Sequence, residues 1–348
     1  MRIAIVNDLL LAVEALRRLV SSVPGYQVCW IARDGAEAVR KCQADRPDLV
    51  LMDMLMPVMN GAEATKRIMH ECPTTVLVVS STLGGNFAKV FEAMSHGAVD
   101  AVKTPNLGKD GGIEGGAPLL VKIAAIAQMK EQSERSAQLK SGLLRHDSIG
   151  NHDTASSAVP VIAIGASTGG PNAIVEVLTR IPVELNAAVV IAQHITIDFA
   201  AGLATWLTEM CQRPVRIARD SDVLRAGEVL IAGTNDHLKM ISGGSFRYSA
   251  DPADTPYRPS VDVLFGTLAS HWKKPGVAVL LTGMGRDGAK GLLLLKEKGW
   301  HTIAQDEKSS VVYGMPAAAA EKGAASQILS LTEIGAAVTT NIRKLASL

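Results

Sequence analysis

The sequence predicts an α/β protein made of two consecutive doubly wound, mainly parallel sheets, and three observations support this fold class. Residues 1–130 alternate short β-branched runs with amphipathic stretches in five β/α units. Residues 131–157 turn polar and lose the strand pattern, although their first half could prolong a helix. An apolar run, VIAIGA, then opens a second α/β region. We therefore predict one domain over 1–130, a linker over 131–157 and a second domain over 158–348.

The elements of the first domain follow in chain order. Apolar β-branched runs predict five strands, which are RIAIV, VCWIA, DLVLMD, TVLVV and AVDAV. Apolar residues spaced by three and four predict the helices between and after them, which are LAVEALRRLV, GAEAVRKC, AEATKRIM, AKVFEAM and LLVKIAAIAQM. Strands that alternate with helices in this way form a parallel sheet.

The second domain repeats this alternation with longer interruptions. The apolar runs predict strands at 161–166 and near 188–192, 229–232, 277–282 and 302–304. Residues 243–262 contain turn-forming residues and predict a loop or a hairpin.

Composition and charge narrow the class of function. The 348 residues are 47% hydrophobic, enough for two cores, and 35 basic against 34 acidic residues give a formal charge of +1. The sequence contains no long basic block of the kind that predicts binding to nucleic acid or to an anionic membrane. The four cysteines lack CxxC spacing, no secretion signal is present, and no apolar run approaches the ~20 residues of a membrane helix. We expect a reduced, cytoplasmic protein without membrane insertion.

Three polar residues of the first domain follow strands of the predicted sheet. Asp8, Asp53 and Ser80 lie where the first, third and fourth strands end. In a parallel sheet these ends share one edge, so the two carboxylates and the hydroxyl can converge. Such oxygen ligands suit Mg²⁺, and Asp53 could accept a phosphoryl group there. The alternative is that Asp8 and Asp53 are ordinary strand ends or helix caps.

Ser167 is the candidate nucleophile of the second domain. GASTG matches G-x-S-x-G, in which glycines allow a tight strand-to-helix turn that exposes the serine, and Pro171 suits the first turn of the helix. The amide of Thr168 could stabilise an oxyanion formed by attack of Ser167. The alternatives are an ordinary small-residue turn or a phosphate-binding loop.

A base and an orienting acid are sought at the same sheet edge. His194 follows the strand AAVVIAQ, whereas His301 precedes a strand and belongs to the opposite edge. Asp287 follows VAVLL in a glycine-rich turn, where it could fix the histidine tautomer. His194 could instead be a structural histidine, and Asp287 could cap the helix that begins near Ala289.

The turn around Asp287 also matches a different pattern. GMGRDG, residues 283–288, fits G-x-G-x-x-G between a strand and a helix, and Asp306 lies about 20 residues further on, as in a nicotinamide-dependent oxidoreductase. Against this reading, Asp287 would place a negative charge where pyrophosphate should bind. The unit also comes late in its domain.

The first domain resembles response-regulator receiver domains in the succession IVND, LVLMDMLMPVMNGAEA, VVSS and HGAVDAVKTP. The resemblance implies a flavodoxin-like domain phosphorylated at Asp53 by a CheA-type histidine kinase, with Mg²⁺ held by Asp8, Asp53 and the backbone carbonyl of Leu55. Two positions depart from the receiver pattern. Asn7 stands where receivers usually have a second acid after the first strand. Thr104 occupies the position of the usual lysine, and the lysine here is its neighbour Lys103. The candidate switch residues are Ser80, Thr104 and Lys103.

The second domain resembles the CheB protein-glutamate methylesterases in IGASTGGP, AQHI, YRPSVDVLF, LTGMGRDGAKG and AQDEKSSVVYGMP. The resemblance implies a triad of Ser167, His194 and Asp287, with oxyanion amides at Thr168 and Met284. Arg258 falls in a motif near the active site and is a candidate substrate-binding residue. IVND, AVEALRR and the altered end of strand five resemble the WspF branch of surface-sensing systems.

Membership of this family implies the reaction and its control. The substrates are glutamyl methyl esters, and also glutamine amides, on the cytoplasmic helices of methyl-accepting receptors, and no cofactor serves the ester chemistry. The unphosphorylated receiver is expected to cover the Ser167 cleft. The alternative is a catalytically weak regulator that drains phosphoryl groups or binds receptors without turnover, a hypothesis that rests on Asn7 and Thr104.

Overall fold

A computed structural model describes residues 1–80, 87–108, 112–136, 159–255 and 257–346. Within these ranges the chain forms one sheet of five strands, another of seven, and two small hairpins. The two-sheet α/β architecture predicted from the sequence is confirmed.

The N-terminal sheet has the order β2-β1-β3-β4-β5, and all of its paired strands are parallel. Its strands are β1 (Arg2–Val6), β2 (Gln27–Ala32), β3 (Leu49–Met52), β4 (Thr75–Ser80) and β5 (Asp100–Lys103). The helices are α1 (Leu10–Ser21), α2 (Gly35–Ala44), α3 (Gly61–Glu71), α4 (Phe87–Ser95) and α5 (Ala117–Ser136), and a hairpin of β6 (Asn106–Leu107) and β7 (Ile113–Glu114) precedes α5.

Local sequence signals set two of these helix starts. The Asp34 side chain accepts a hydrogen bond from the Glu37 N–H, and the Asn60 side chain accepts one from the Glu63 N–H. Each bond satisfies one of the amides that the first helical turn leaves free. Helix α2 begins at Gly35, just after the carboxyl end of β2, whereas α3 begins at Gly61, after the loop that follows β3 and contains Asp53.

The C-terminal sheet has the order β10-β11-β9-β8-β14-β15-β16, again with every paired strand parallel. Its elements are β8 (Val161–Ala166), α6 (Gly170–Thr179), β9 (Ala188–Gln193), α7 (Ile197–Cys211), β10 (Val215–Ile217), β11 (Val229–Ile231), a hairpin of β12 (His237–Met240) and β13 (Phe246–Ser249), α8 (Val261–His271), β14 (Val277–Leu280), α9 (Ala289–Glu297), β15 (His301–Gln305), α10 (Met315–Glu321), β16 (Gln327–Leu329) and α11 (Leu331–Ala346). The central strand β8 lies between β9 and β14.

The sequence prediction differs from this structure in a few places. The hairpin expected somewhere in 243–262 lies at 237–249, and the edge strands β10 and β16 were not predicted. Helix α5 runs to Ser136, six residues into the expected linker, while the rest of that linker, residues 137–157, lies outside the described residues. The domain bounds stay a prediction.

The two domains pack against each other through α4. The Phe91 ring stacks on Trp206 of α7 with centroids 5.4 Å apart, and one apolar core runs from the N-terminal sheet through this contact to the C-terminal sheet. A second apolar cluster fills the other face of each sheet. None of the helices in the described ranges is long and apolar enough to cross a membrane.

Candidate active site

Three of the predicted site residues lie at adjacent strand ends. Ser167 directly follows β8, His194 follows β9, and Asp287 lies in the turn after β14. The Ser167 N–H donates to the Thr282 carbonyl at 3.0 Å, and the His194 N–H donates to the Ala166 carbonyl at 3.0 Å. These backbone bonds hold the three strand ends together, as the sheet argument predicts.

The imidazole of His194 and the carboxylate of Asp287 are hydrogen bonded. Nε2 of His194 lies 2.7 Å from Oδ2 of Asp287, and the two side chains are only 8% and 5% exposed. A carboxylate only accepts hydrogen bonds, so Nε2 carries the proton. Nδ1 is then the acceptor nitrogen of the neutral ring, and it is buried without a hydrogen-bond partner among the described residues.

The start of helix α8 stabilises the charge of Asp287. Oδ1 accepts from the Ser260 hydroxyl at 2.8 Å and from the Asp262 N–H at 3.0 Å, while Oδ2 accepts from the Val261 N–H at 2.7 Å. Burial opposes ionisation, but His194 and these amides outweigh it and hold the pKa of Asp287 below its ordinary value. Asp287 is therefore an ionised partner that can stabilise an imidazolium.

Tyr257 fixes the plane of the histidine ring. Its ring is stacked on His194, with centroids 4.4 Å apart and an interplanar angle of 7°. Sequence reasoning did not identify Tyr257 or Ser260 as site residues, although both lie in the YRPSVDVLF motif. No periodicity marks them, because their segment forms neither strand nor helix.

The turn at Ser167 is held from two sides. Gln193 donates its amide to the Ser167 carbonyl at 2.8 Å, and the Thr282 hydroxyl donates to the Thr168 carbonyl at 2.9 Å. Gly169 has a φ of +78°, and a Cβ on Gly170 would lie 2.0 Å from Oε1 of Gln193. The glycines that the sequence places after the serine are therefore needed for this conformation.

The remaining candidates of this domain differ in their surroundings. Thr168 is buried and Met284 is half-buried, and neither amide donates a hydrogen bond within the described part of the chain. Both are therefore free to bind a substrate oxygen. Arg258 is half-buried and donates to the Ala253 carbonyl at 3.1 Å, so in this structure it bonds within its own loop.

A cleft of about 490 Å³ adjoins the His194–Asp287 pair. Tyr257, Ser260 and Asp287 line this cleft. Arg286 and Lys290, both exposed, also line it. Of the three predicted triad residues, Asp287 is the one that lines this cleft.

The GMGRDG turn is filled by the protein itself. A Cβ on Gly283 would lie 2.7 Å from the Ser167 Cβ, and the Asp287 carboxylate binds the start of α8. Its glycines therefore permit close packing around Ser167 and Tyr257, which is a use different from binding pyrophosphate.

The acidic candidates of the N-terminal domain lie together at its sheet edge. Asp53 is 4% exposed and its Oδ1 accepts from the Met54 N–H at 2.8 Å. Burial raises the pKa of Asp53 from 3.8 to about 6, and the nearby Asp8 carboxylate adds to the shift while the Met54 N–H opposes it. Leu55 is partly exposed beside them.

Two hydroxyls of this domain are buried without partners. Ser80 Oγ and Thr104 Oγ1 have no hydrogen bond among the described residues, and the Thr104 N–H donates to the Ser80 carbonyl at 3.0 Å. Lys103 is exposed, whereas Thr104 is buried. Asn7 is buried, and its side-chain oxygen accepts from the Leu9 N–H at 2.8 Å.

The N-terminal domain contacts the helix that begins beside Ser167. The Gly169 N–H donates to the Val99 carbonyl at 3.0 Å, and the Asn172 side chain donates to the Ala98 carbonyl at 3.3 Å. The Trp206 indole N–H donates to the Ser95 hydroxyl at 3.0 Å. The backbone before β5 thus contacts a residue two positions from the candidate nucleophile.

Comparisons with known proteins agree with both parts of the chain. Residues 162–338 match the CheB methylesterase family, and residues 3–108 match the response regulator receiver domain. A protein-glutamate methylesterase/protein-glutamine glutaminase of Burkholderia thailandensis is 49% identical over 96% of this chain and 95% of its own length. One from Pseudomonas aeruginosa is 48% identical over 96% of this chain and 97% of its own length. The crystal structure of the Thermotoga maritima CheB methylesterase catalytic domain is 32% identical with a TM-score of 0.51, covering 53% of this chain and 99% of that one.

Proposed function

The chain belongs to the CheB methylesterase family and carries a receiver domain, and from this premise we propose that Ser167, His194 and Asp287 form the catalytic triad of a phosphorylation-regulated protein-glutamate methylesterase. The observation that carries the proposal is the pairing of His194 Nε2 with Asp287, which leaves a buried Nδ1, without a partner in the described ranges, at the strand end next to Ser167. A nitrogen in this state is the acceptor that a serine nucleophile needs.

Acylation begins with transfer of the Ser167 hydroxyl proton to Nδ1 of His194. Oγ attacks the carbonyl carbon of the glutamyl methyl ester, and the C=O bond opens to a tetrahedral oxyanion. The imidazolium is stabilised by Asp287 and by the Tyr257 ring stacked on it. Nδ1 then returns the proton to the departing methoxide, which leaves as methanol.

The oxyanion is bound by the free amides of Thr168 and Met284. Both N–H groups flank the Ser167 turn, and the first belongs to the approach to helix α6, whose N-terminus favours negative charge. The bonds from Gln193 and Thr282 hold the serine turn rigid, so no reorganisation is needed when the charge develops.

Deacylation repeats the same proton movements with water as the nucleophile. His194 Nδ1 takes a proton from water, hydroxide attacks the acyl carbon, and Ser167 Oγ leaves with the proton from the imidazolium. The product is a glutamate carboxylate. A glutamine side chain reacts in the same way with ammonia as the leaving group, which gives the deamidase activity named in the relatives.

Phosphorylation of the receiver takes place at Asp53. Its carboxylate, that of Asp8 and the Leu55 carbonyl are hard oxygen ligands of the kind that hold Mg²⁺, and a cation would relieve the unfavourable burial of charge at Asp53. When bound, Mg²⁺ neutralises charge on the transferred phosphoryl group. Ser80 and Thr104 supply two hydroxyls, unpartnered within the described ranges, that can donate to phosphoryl oxygens.

The unphosphorylated receiver inhibits the esterase by contact. The bonds from Gly169 to Val99 and from Asn172 to Ala98 place the receiver backbone on the first turn of α6. A receptor helix that approaches Ser167 along this side would have to displace it. Phosphorylation at Asp53 shifts the equilibrium towards the displaced arrangement.

The partners follow from the same chemistry. The phosphoryl donor is a histidine kinase of the CheA type, and the substrate is the helical cytoplasmic part of a methyl-accepting receptor, which places the enzyme in the cytoplasm. A surface-sensing receptor of the WspF branch is the finer assignment that the sequence likeness favours.

Methanol release from methylated receptor membranes tests the proposal. We expect Ser167→Ala in the full chain to abolish release, and Ser270→Ala, an exposed serine on α8, to leave it unchanged. Methanol release by Ser167→Ala at the wild-type rate would refute the triad. The alternative of a regulator without turnover predicts no release from the wild type and a physiological effect that survives Ser167→Ala.

A further inference from the structure

We propose that His237 is a positioning residue for the reaction at Ser167, because its neutral imidazole holds the start of helix α8 and, through it, the Asp287 carboxylate. The inference rests on the proposed function. It adds a second histidine whose ring touches neither substrate nor Ser167 but fixes the partner of His194.

The imidazole of His237 is fully buried and uses both ring nitrogens. Nδ1 accepts a hydrogen bond from the Ser260 N–H at 3.1 Å, and Nε2 lies 3.2 Å from the Pro252 carbonyl. A carbonyl only accepts and an amide only donates, so Nε2 carries the proton and Nδ1 does not. The two bonds together specify one neutral tautomer.

The charged groups around this ring also favour its neutral state. The pKa of His237 lies below its ordinary value, and burial is the main cause. The positive charges of Arg258 and Lys239 lower it further. The hydrogen bond to Pro252 and the Asp287 carboxylate raise it, but they do not outweigh burial. Protonation would place a second N–H against the Ser260 N–H. The geometry and the surrounding charges therefore agree.

A short chain of contacts connects His237 to His194. His237 fixes the Ser260 amide, and the Ser260 hydroxyl donates to Oδ1 of Asp287 at 2.8 Å. The next two amides of α8 donate to the same carboxylate, whose Oδ2 binds Nε2 of His194. A shift of Ser260 therefore moves three donors of Asp287 at once.

The same ring also fixes the segment that carries Tyr257. Pro252 and Ser260, the two groups bound by His237, lie on either side of Tyr257 in the chain. Tyr257 stacks on the His194 ring. One imidazole thus supports both groups that orient the catalytic histidine, whereas a histidine that only filled space in the core would need no such pair of bonds.

Three variants of the full chain distinguish the roles of the two ring nitrogens of His237. In His237→Asn the side-chain oxygen can replace Nδ1 as acceptor for Ser260, in His237→Gln the side-chain amide can replace Nε2 as donor to Pro252, and His237→Leu replaces neither. We expect kcat for receptor demethylation to fall about 10- to 100-fold in the Gln and Leu variants, because a misplacement of about 1 Å has that effect. His237→Asn should stay within about threefold of the wild type, and KM should change little in all three.

The pH profile is the readout that a purely structural role would not change. In the Gln and Leu variants the imidazolium at His194 loses part of its carboxylate support, so we expect the acid limb of kcat/KM to move to lower pH by about one unit. In His237→Asn it should not move. His237→Gln keeps a polar side chain of similar length and carries the test if the leucine variant does not fold.

The inference would be overturned if folded His237→Gln kept the wild-type kcat and the wild-type acid limb of kcat/KM. It would also be overturned if His237→Asn lost as much kcat as His237→Gln. Either result leaves the triad standing as long as Ser167→Ala is inactive. Methanol release that persists in Ser167→Ala refutes the proposed function itself, so the two failures are distinguishable.

Discussion

Replacing Asp53 by asparagine should stabilise the receiver domain in the absence of divalent cations. The pKa of Asp53 is raised from 3.8 to about 6, so the folded domain binds this proton more tightly than the unfolded chain. Stability from this group is therefore present below about pH 3.8 and is lost as the pH rises to about 6. At about 1.4 kcal/mol per unit, the penalty above that window is about 3 kcal/mol. The asparagine side chain would keep the acceptor for the Met54 N–H without the buried charge.

Hydrogen exchange of the β1 and β3 amides, measured in EDTA, reports the opening free energy of this domain alone. We expect Asp53→Asn to be more stable than the wild type by about 3 kcal/mol at pH 8 and by about half as much at pH 5. Glu92→Gln, which removes an exposed acid of the same domain, should change little. Equal protection of wild type and Asp53→Asn at pH 8, or a difference that grows towards acid, would show that Asp53 is not a strained buried carboxylate. Addition of Mg²⁺ should stabilise the wild type and leave Asp53→Asn unaffected.

Three further predictions concern the esterase domain and its contact with the receiver. Tyr257→Phe keeps the ring stacked on the His194 imidazole and should stay near the wild-type kcat. Tyr257→Ala should lower kcat about fivefold in the methanol assay, because a stacked cation–ring pair contributes about 1 kcal/mol. Ser95→Arg removes the hydrogen bond to Trp206 and adds bulk at the interface between the domains. Methanol release without a phosphodonor should therefore rise about tenfold. An unchanged basal rate would contradict inhibition by contact. Gly170→Ala puts a Cβ 2.0 Å from Oε1 of Gln193, so it should lower both the melting temperature and kcat. The control Gly112→Ala, where a Cβ would have no atom within 4 Å, should change neither.

The strand ends that lead to Ser167, His194 and Asp287 could be predicted from the sequence because each lies directly after an apolar run. VIAIGA, AAVVIAQ and VAVLL are buried strands, and polar residues that follow parallel strands share one edge of the sheet. That reasoning predicts that His194 and Asp287 lie close together, and it assigns His301 to the other edge of the sheet, where His301 begins β15. Lys103, at the end of β5, is exposed and Thr104 after it is buried, because neighbouring residues of an extended segment face opposite sides.

The supporting residues could not be predicted in the same way. Tyr257, Ser260 and His237 lie in or beside a segment whose path depends on the β12–β13 hairpin and on the start of α8, so their contacts are set by tertiary structure. The edge strands β10 and β16 have three residues each, too few to show a period of two. The tautomer of His194 is likewise fixed only by which ring nitrogen bonds to the Asp287 carboxylate.

Strand β5 connects the two sites through its opposite ends. Val99, just before the strand, accepts a hydrogen bond from Gly169, two residues after the proposed nucleophile, and Thr104, just after the strand, is a proposed switch residue with a buried hydroxyl, about 16 Å further along at about 3.3 Å per residue. Opening the interface breaks three hydrogen bonds, from Gly169, Asn172 and Trp206, at a net cost of about 3 kcal/mol for these bonds alone, and it also exposes the apolar contact between Phe91 and Trp206. A phosphoryl group that accepts from two buried hydroxyls gains about 1.5–3 kcal/mol from each. This gain offsets the loss of the three hydrogen bonds only if both hydroxyls donate to the phosphoryl group, so Thr104 in the usual lysine position would contribute to the switch as a neutral hydrogen-bond donor.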